Sequence, residues 1–191
     1  MSRNKQFNPV EKLVKARDLF WKKGYHVTSI QDLVDQMQVN RRSMYDTYGD
    51  KHELFIQSLE SYAIETYGEF NSIAQLEKSP KKAIEGIISK AIERSFEKEK
   101  ICMIVKSSFE LAPLDQSMRD LLKQHTQKLI IIFQNLIIKA QEAGEISTEK
   151  NALKSAQFIV GSFAGLWQMQ SLFNDRMMVE AMAERILESL K

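Results

Sequence analysis

The chain is poor in the residues that staple or punctuate a fold: its 191 residues include one cysteine, three prolines and seven glycines. A single cysteine excludes an internal disulfide and fits a reducing cytoplasm. With so few turn-formers, and no stretch alternating apolar and polar residues with a period of two, an all-α fold is predicted. The most apolar run, Leu129 to Ile138, is about half a membrane span and is bounded by Lys128 and Lys139. It predicts a helix buried on most sides. Residues 1–9 lack the apolar core of a signal peptide, so a cytoplasmic location is expected. His26, His52 and His125 have no metal-ligand spacing with one another or with Cys102, and no glycine-rich phosphate loop or Ser/His/Asp order occurs. Catalytic residues, a bound metal and a cofactor are therefore not expected, and an enzyme is the weakest class.

What is present is concentrated between Gly24 and Leu54. A helical repeat (Leu13, Ala16, Phe20) runs up to Gly24, which is placed to end it in a left-handed conformation. Thr28, with Gln31 three residues on, reads as a capping box opening a second helix with Ile30, Leu33 and Val34 buried. Met37, Gln38 and Val39 form the turn, and Asn40 can cap a short third helix from Arg41 to Asp46. Met44 and Tyr48 are four apart and can face the core together, leaving Arg41, Arg42, Ser43, Tyr45 and Thr47 facing outward. Arginine forks suit the guanine edge in the major groove. Tyr45, Thr47 and Lys51 suit phosphate oxygens, and Thr28 and Ser29 stand at a helix N-terminus that favours a phosphate. Charge supports this placement. Residues 1–51 carry ten Lys/Arg against six Asp/Glu, and residues 52–191 carry seventeen against nineteen. The bland alternative is a helical hairpin with a solvated arginine pair.

The segment Gly24-Tyr25-His26-Val27-Thr28-Ser29, followed by Val39 to Leu54 with Tyr45, Lys51 and Leu54 at fixed offsets, resembles the DNA-binding domain of the tetracycline-repressor (TetR/AcrR) family of bacterial regulators. Two departures stand out. Gln38 replaces the glycine usual in the family's turn, where a left-handed conformation is uncomfortable for Gln. Asp46 stands where an aromatic residue or His is common, and is expected to point away from phosphates.

Beyond Asp50, which caps a further helix in a second capping box with Glu53, the chain reads as a helical body. Ser79-Pro80 opens a helix with the stripe Ile84, Ile87, Ile88, Ala91, Ile92 and Phe96. Another helix runs from about Ile101 to Leu111, and Asp115 caps a long one from roughly Met118 to Ala143, ended by Gly144. The last two run from about Glu149 to Leu172 and from about Asp175 to Leu190. The stretch Lys100 to Pro113, with Asp115 after it, also resembles a branch of the family in which a Cys-containing helix leads into Ala-Pro-x-Asp.

The resemblance implies a homodimer formed through the last two helices, and an effector pocket within the body. The candidate interface is Phe158, Gly161, Ser162, Gly165, Met169 and Leu172, with Val179, Met182, Ile186 and Leu190. The alternative for the two glycines is packing against a helix of the same chain. Candidate pocket walls are Phe96, Cys102, Met103, Phe109, Phe133, Phe163, Trp167 and Met169, each of which also reads as plain core. So few charges suggest an apolar or aromatic effector. Cys102, near Lys100 and Lys106, reads either as a small buried side chain or as a redox-sensing thiol. The expectation is a helix-turn-helix DNA-binding domain over residues 1–51 and an effector-binding, dimerising domain over 52–191. Together they would form a ligand-responsive repressor on a palindromic double-stranded operator. The alternatives are an effector-binding protein without DNA binding and a Cys102-based redox regulator.

Overall fold

A computed structural model describes residues 7–97 and 102–190. Among the described residues there are nine α-helices and no strand: α1 (Pro9–Lys23), α2 (Ile30–Met37), α3 (Arg41–Tyr48), α4 (Lys51–Leu76), α5 (Pro80–Glu97), α6 (Met103–Glu110), α7 (Gln116–Glu142), α8 (Ala152–Phe173) and α9 (Arg176–Glu188). No described helix is long and apolar enough to cross a membrane.

The ends of these helices are set by local chemistry. Asn8 accepts hydrogen bonds from Val10 and Glu11 N–H, and Pro9 occupies the first turn of α1, where a missing N–H costs nothing. Asp50 and Glu53 form the expected reciprocal box at the start of α4. Asp115, Asn151 and Asp175 cap α7, α8 and α9 one way, each side chain accepting from the N–H three residues on. Gly24, at φ 94°, ends α1, a conformation that L side chains rarely adopt.

Two apolar clusters result. The first joins α1–α3 to the N-terminal half of α4, with Phe20, Leu33, Met37, Met44, Tyr48, Leu54 and Phe55 buried. It also takes in Met103 and Ile104 of α6 and Met118 and Leu122 of α7, so the head is packed on the body. Phe20 meets Phe55 edge-on with centroids 5.0 Å apart, and Trp21 meets Tyr62 in the same manner at 4.8 Å. Such pairs contribute about 0.5–1.5 kcal/mol beyond their area burial. The Tyr48 hydroxyl, donating to the Pro9 carbonyl at 2.7 Å, ties α3 to the start of α1. Burial pushes that phenol up to about 12.

The second cluster fills the body. The α5 stripe buries Ile84, Ile87, Ile88 and Ile92, against Phe133 and Ile137 of α7 and Ile159 and Leu166 of α8. Phe133 is fully enclosed. Cutting it to Ala would cost roughly 3–5 kcal/mol. The apolar run in α7 is less buried than its composition implies, because Ile131 is 53 % exposed and Ile138 lies at the surface.

His125, buried on α7, shares a hydrogen bond with the Tyr67 hydroxyl at 3.0 Å, and its Nε2 has no partner among the described residues. Burial lowers its pKa below the ordinary 6.5; nearby Lys128 adds to this and Glu60 opposes it. Above that value both folded and unfolded chains hold a neutral imidazole. As the pH falls below it, the unfolded chain gains the proton first, so stability is lost. Asp115, held at about 2 mainly by the Met118 N–H, acts only at much lower pH. Urea melts from pH about 7.5 down to about 5 should therefore show declining stability, and His125→Asn should flatten the slope. An unchanged slope would mean that His125 takes up its proton over the same pH range in the folded and unfolded chains.

Candidate nucleic-acid interface and body cavity

The turn between α2 and α3 carries the geometry of the exposed face. Ser29, not Thr28, is the N-cap of α2, and Asp32, not Gln31, completes its capping box. Ser29 N–H donates to Asp32 Oδ2 at 2.9 Å, and Asp32 N–H to Ser29 Oγ at 3.0 Å. Lys23 also donates to Asp32, at 2.8 Å, and this bond first, then the Ser29 N–H, holds the carboxyl well below its usual range. Gln31 instead donates to Asp35. Thr28 is fully buried, its hydroxyl donating to the Gly24 carbonyl at 2.6 Å. That hydroxyl closes the α1–α2 turn and is withdrawn from solvent, which corrects its assignment as a phosphate contact. Ser29 stays exposed, beside a carboxylate that disfavours an anion.

Gln38 takes the left-handed conformation, at φ 54° and ψ 50°, and its side chain accepts from Lys15 Nζ at 3.2 Å. The turn thus keeps the shape that a glycine would give it, with strain carried by the Gln backbone. Asn40 then caps α3, its Oδ1 accepting from Ser43 N–H at 2.8 Å. Arg41, Arg42 and Tyr45 project into solvent from the first turns of α3, while Ser43 and Thr47 are half-buried. The Arg41 guanidinium lies 5.8 Å from the Tyr45 ring centroid. Asp46 lies one turn from Arg42, at 3.7 Å, a loose and exposed pair that adds little stability. Lys51 is set back, its ammonium 4.4 Å from the Tyr25 ring centroid. Burial lowers its pKa, partly opposed by Glu110.

Below the head lies a cavity of about 200 Å³ between α1, α4, α5, α6, α7 and α8. Of the expected walls, Cys102, Phe109, Phe163 and Trp167 line it. Phe133 and Met103 are sealed in the two cores, and Phe96 and Met169 pack against the body core without reaching the cavity. Phe163 and Trp167 form its stacked wall, rings 5.6 Å apart and 4° from parallel. Sequence reasoning missed Trp21, Tyr62, Thr66 and above all Arg94. The Arg94 guanidinium is buried, with Nη1 donating to Glu69 at 2.6 Å and standing 3.5 Å from Thr66 Oγ1. Arg94 is the only charged residue among the described lining residues. Its place between Ile92 and Phe96 of the α5 stripe gave no sign of burial, since such a stripe is read from its apolar members.

Helix α6 touches both regions. Cys102, at its N-cap, and Val105 and Phe109 along it line the cavity. From the same helix Lys106 Nζ donates to the carbonyls of Trp21 (2.9 Å) and Lys22 (3.1 Å), at the end of α1. Glu110 Oε1 accepts from His26 N–H at 2.8 Å, just after Gly24. Lys106 thus spends its donors on α1 carbonyls, and Lys100 lies outside the described residues.

The expected dimer residues divide. Phe158 and Leu172 are exposed, and a Cβ at Gly161 or Gly165 would meet nothing within 4 Å. Among the described residues, no helix of the same chain packs closely against these glycines. Ser162, Met169 and Met182 are half-buried. Val179, Ile186 and Leu190 are buried in the protomer's own core, where they hold α9 on α5 and α8, and are corrected from interface to core.

Comparison with known proteins extends these observations. Residues 13–57 match the family model described as bacterial regulatory proteins, tetR family. Residues 81–186 match the tetracyclin repressor-like C-terminal domain. An uncharacterized HTH-type transcriptional regulator of Bacillus subtilis (strain 168), YezE, is 32% identical over 156 residues, covering 78% of each chain. The HTH-type transcriptional repressor DhaR of Mycobacterium sp. (strain GP1) is 23% identical over 177 residues, covering 92% of this chain and 88% of that one. Among solved structures, a cysteine mutant of the TetR family regulator CifR, complexed with 26-bp double-strand operator DNA, superposes with a TM-score of 0.88. The identity is 21%, with both chains covered in full. That likeness establishes the fold.

The strained turn has a measurable consequence. A left-handed L residue costs roughly 1–2 kcal/mol, part of which a glycine returns through the greater freedom of its unfolded chain. Gln38→Gly should therefore raise stability by about 0.5–1 kcal/mol, read as a higher urea midpoint at unchanged slope. Lower stability would mean that the exposed Lys15–Gln38 bond outweighs the backbone strain.

Proposed function

The chain belongs to the TetR family of bacterial regulatory proteins, and we propose that this transcriptional regulator is a homodimeric repressor released from its operator by a small molecule bound in the body. Residues 1–51 then form the DNA-binding domain and residues 52–191 the effector-binding and dimerising one. The observation that carries the DNA-binding reading is the pair Arg41–Arg42. Both side chains are exposed, in contact only with residues of their own helix among the described residues, at the N-terminal end of a capped helix, the part of a recognition helix nearest the base edges. Asn40, Ser43, Tyr45, Thr47 and Lys51 surround them. Two such heads, related by a two-fold axis, would read the half-sites of a palindrome.

Release follows from α6. A compound in the cavity presses on Cys102, Val105 and Phe109, and Lys106 and Glu110 carry any shift of this helix to the end of α1. The effector needs only to favour one head arrangement over the other, and DNA must then oppose effector binding by the same factor.

Arg41 and Arg42 are assigned to base edges, and Lys51 to phosphate. Losing one bidentate Arg–guanine pair should cost roughly 1–3 kcal/mol and relax specificity at one base pair in each half-site. Lys51→Ala should weaken specific and random DNA alike, and flatten the salt dependence by about one unit of log–log slope per head. Binding of Arg41→Ala, Arg42→Ala and Lys51→Ala to operator and scrambled DNA over a salt series separates these roles. If both arginine variants weaken the two DNAs equally, the arginines hold phosphates, and readout lies with Ser43, Thr47 or DNA shape.

The dimer is assigned to the exposed apolar side of α8. Phe158 and Leu172, 52 % and 66 % exposed in the protomer, bracket the open Gly161–Gly165 face. Phe158→Asp with Leu172→Asp should give a folded monomer in sedimentation with its helical circular dichroism retained. Val179→Asp should instead unfold the protein, because it buries an unpaired charge. A double-aspartate variant that stays dimeric would move the interface elsewhere.

A further inference from the structure

Two side-chain nitrogens of residues that line the cavity have no hydrogen-bond acceptor among the described residues. Arg94 Nη2 and Trp167 Nε1 are both buried and lack a hydrogen-bond partner among the described residues. Arg94 is held in place from three sides, by Glu69 on Nη1 and by the faces of Tyr62 and Trp21 at 5.6 and 6.0 Å. It is therefore a fixed donor rather than a mobile one. Both groups can only donate. The described lining has no Asp or Glu, so it offers an ammonium group no counter-charge. The remaining wall is aromatic and aliphatic, and about 200 Å³ is available. A cavity of about 150 Å³ accommodates benzene, so the space suits one ring with a small substituent.

We propose that the cavity binds a single-ring, mainly apolar compound bearing a carboxylate or carbonyl, whose oxygen atoms accept from Arg94 Nη2 and Trp167 Nε1. The ring lies against the Phe163–Trp167 stack. Such a ligand satisfies donors that a hydrocarbon leaves unpaired, and it replaces whatever solvent they hold with equivalent bonds. An amine faces the Arg94 charge with no acceptor to offer. This assignment rests on the effector reading above only for its regulatory meaning; the binding itself is separate.

The chain has two tryptophans, Trp21 and Trp167, and both line the cavity, so intrinsic fluorescence reports on it directly. The intact protein would be titrated with benzoate, acetophenone, ethylbenzene and benzylammonium, with calorimetry as a second readout. At least one of benzoate and acetophenone should bind about tenfold or more tighter than ethylbenzene, and benzylammonium should bind weakest. Arg94→Met should lower the affinity of that probe by about tenfold while changing that of ethylbenzene by less than about threefold. Trp167→Phe keeps a ring and removes the N–H. It should weaken the oxygenated probe more than ethylbenzene, and it carries the test if Arg94→Met does not fold. Ethylbenzene binding as tightly as the oxygenated probes, equal losses for both in the variants, or no binding by any probe would overturn the proposal. Selective binding that leaves operator affinity unchanged would uphold the ligand class and remove the effector role.

Discussion

The structure depends on how the end of α1 is packed. Trp21 is a core residue of the head, edge-on to Tyr62 of α4, and both also form part of the cavity wall. No spacer separates the reading head from the body. A side chain that packs the end of α1 is also one that lines the cavity. Close-packed interiors transmit such displacement rather than absorbing it. The continuity of α4, which supplies Leu54, Phe55 and Leu59 to the head and Phe70 to the body, adds a second rigid connection. The proposed boundary at residue 51 is accordingly not a boundary in the packing.

The recognition face is built the opposite way. Its caps and core contacts are local and stiff: Asn40 on Ser43, Thr28 on Gly24, Tyr48 on Pro9. Its arginine side chains are exposed. Among the described residues Arg42 pairs with Asp46, at 3.7 Å and with both side chains largely exposed, a pairing cheap to exchange for a base or phosphate. A rigid platform with unengaged arginines pays the entropy of ordering only where contact with DNA repays it. Asp46 then acts as a mild competitor for Arg42.

Much of this was legible in the sequence, and the boundary is physical. Helix starts and stops follow from residues within four positions of each other, so Asn40, Asp50, Asp115 and Gly24 could be read directly. The Thr28 error has the same origin: Thr and Ser are both good caps, and only packing decides which one points inward. The misplacement of Val179, Ile186 and Leu190 arises because one apolar stripe cannot tell its own core from a partner's. Arg94 was invisible for a related reason. An arginine at the end of an apolar helix usually reaches solvent, and its burial depends on Glu69, Tyr62 and Trp21 from two other helices.

The energies bound how such a regulator can work. Beside the apolar packing of Met103 and Ile104, the polar grip of α6 on the end of α1 includes three hydrogen bonds among the described residues, from Lys106 to two carbonyls and from His26 to Glu110. All three are partly exposed, and net contributions run from about 0.5 to 1.5 kcal/mol each, or somewhat more where charge assists. Their sum, a few kcal/mol, is of the same order as a typical coupling free energy of about 1–3 kcal/mol. A much stronger grip would lock the head in one arrangement, and a much weaker one would let α6 shift without moving α1. The buried aromatic pairs beneath it hold the head together while these exposed bonds rearrange. On the effector reading proposed above, a ligand of one ring and one polar group, which cannot supply a large binding energy, would be matched to a coupling of this size.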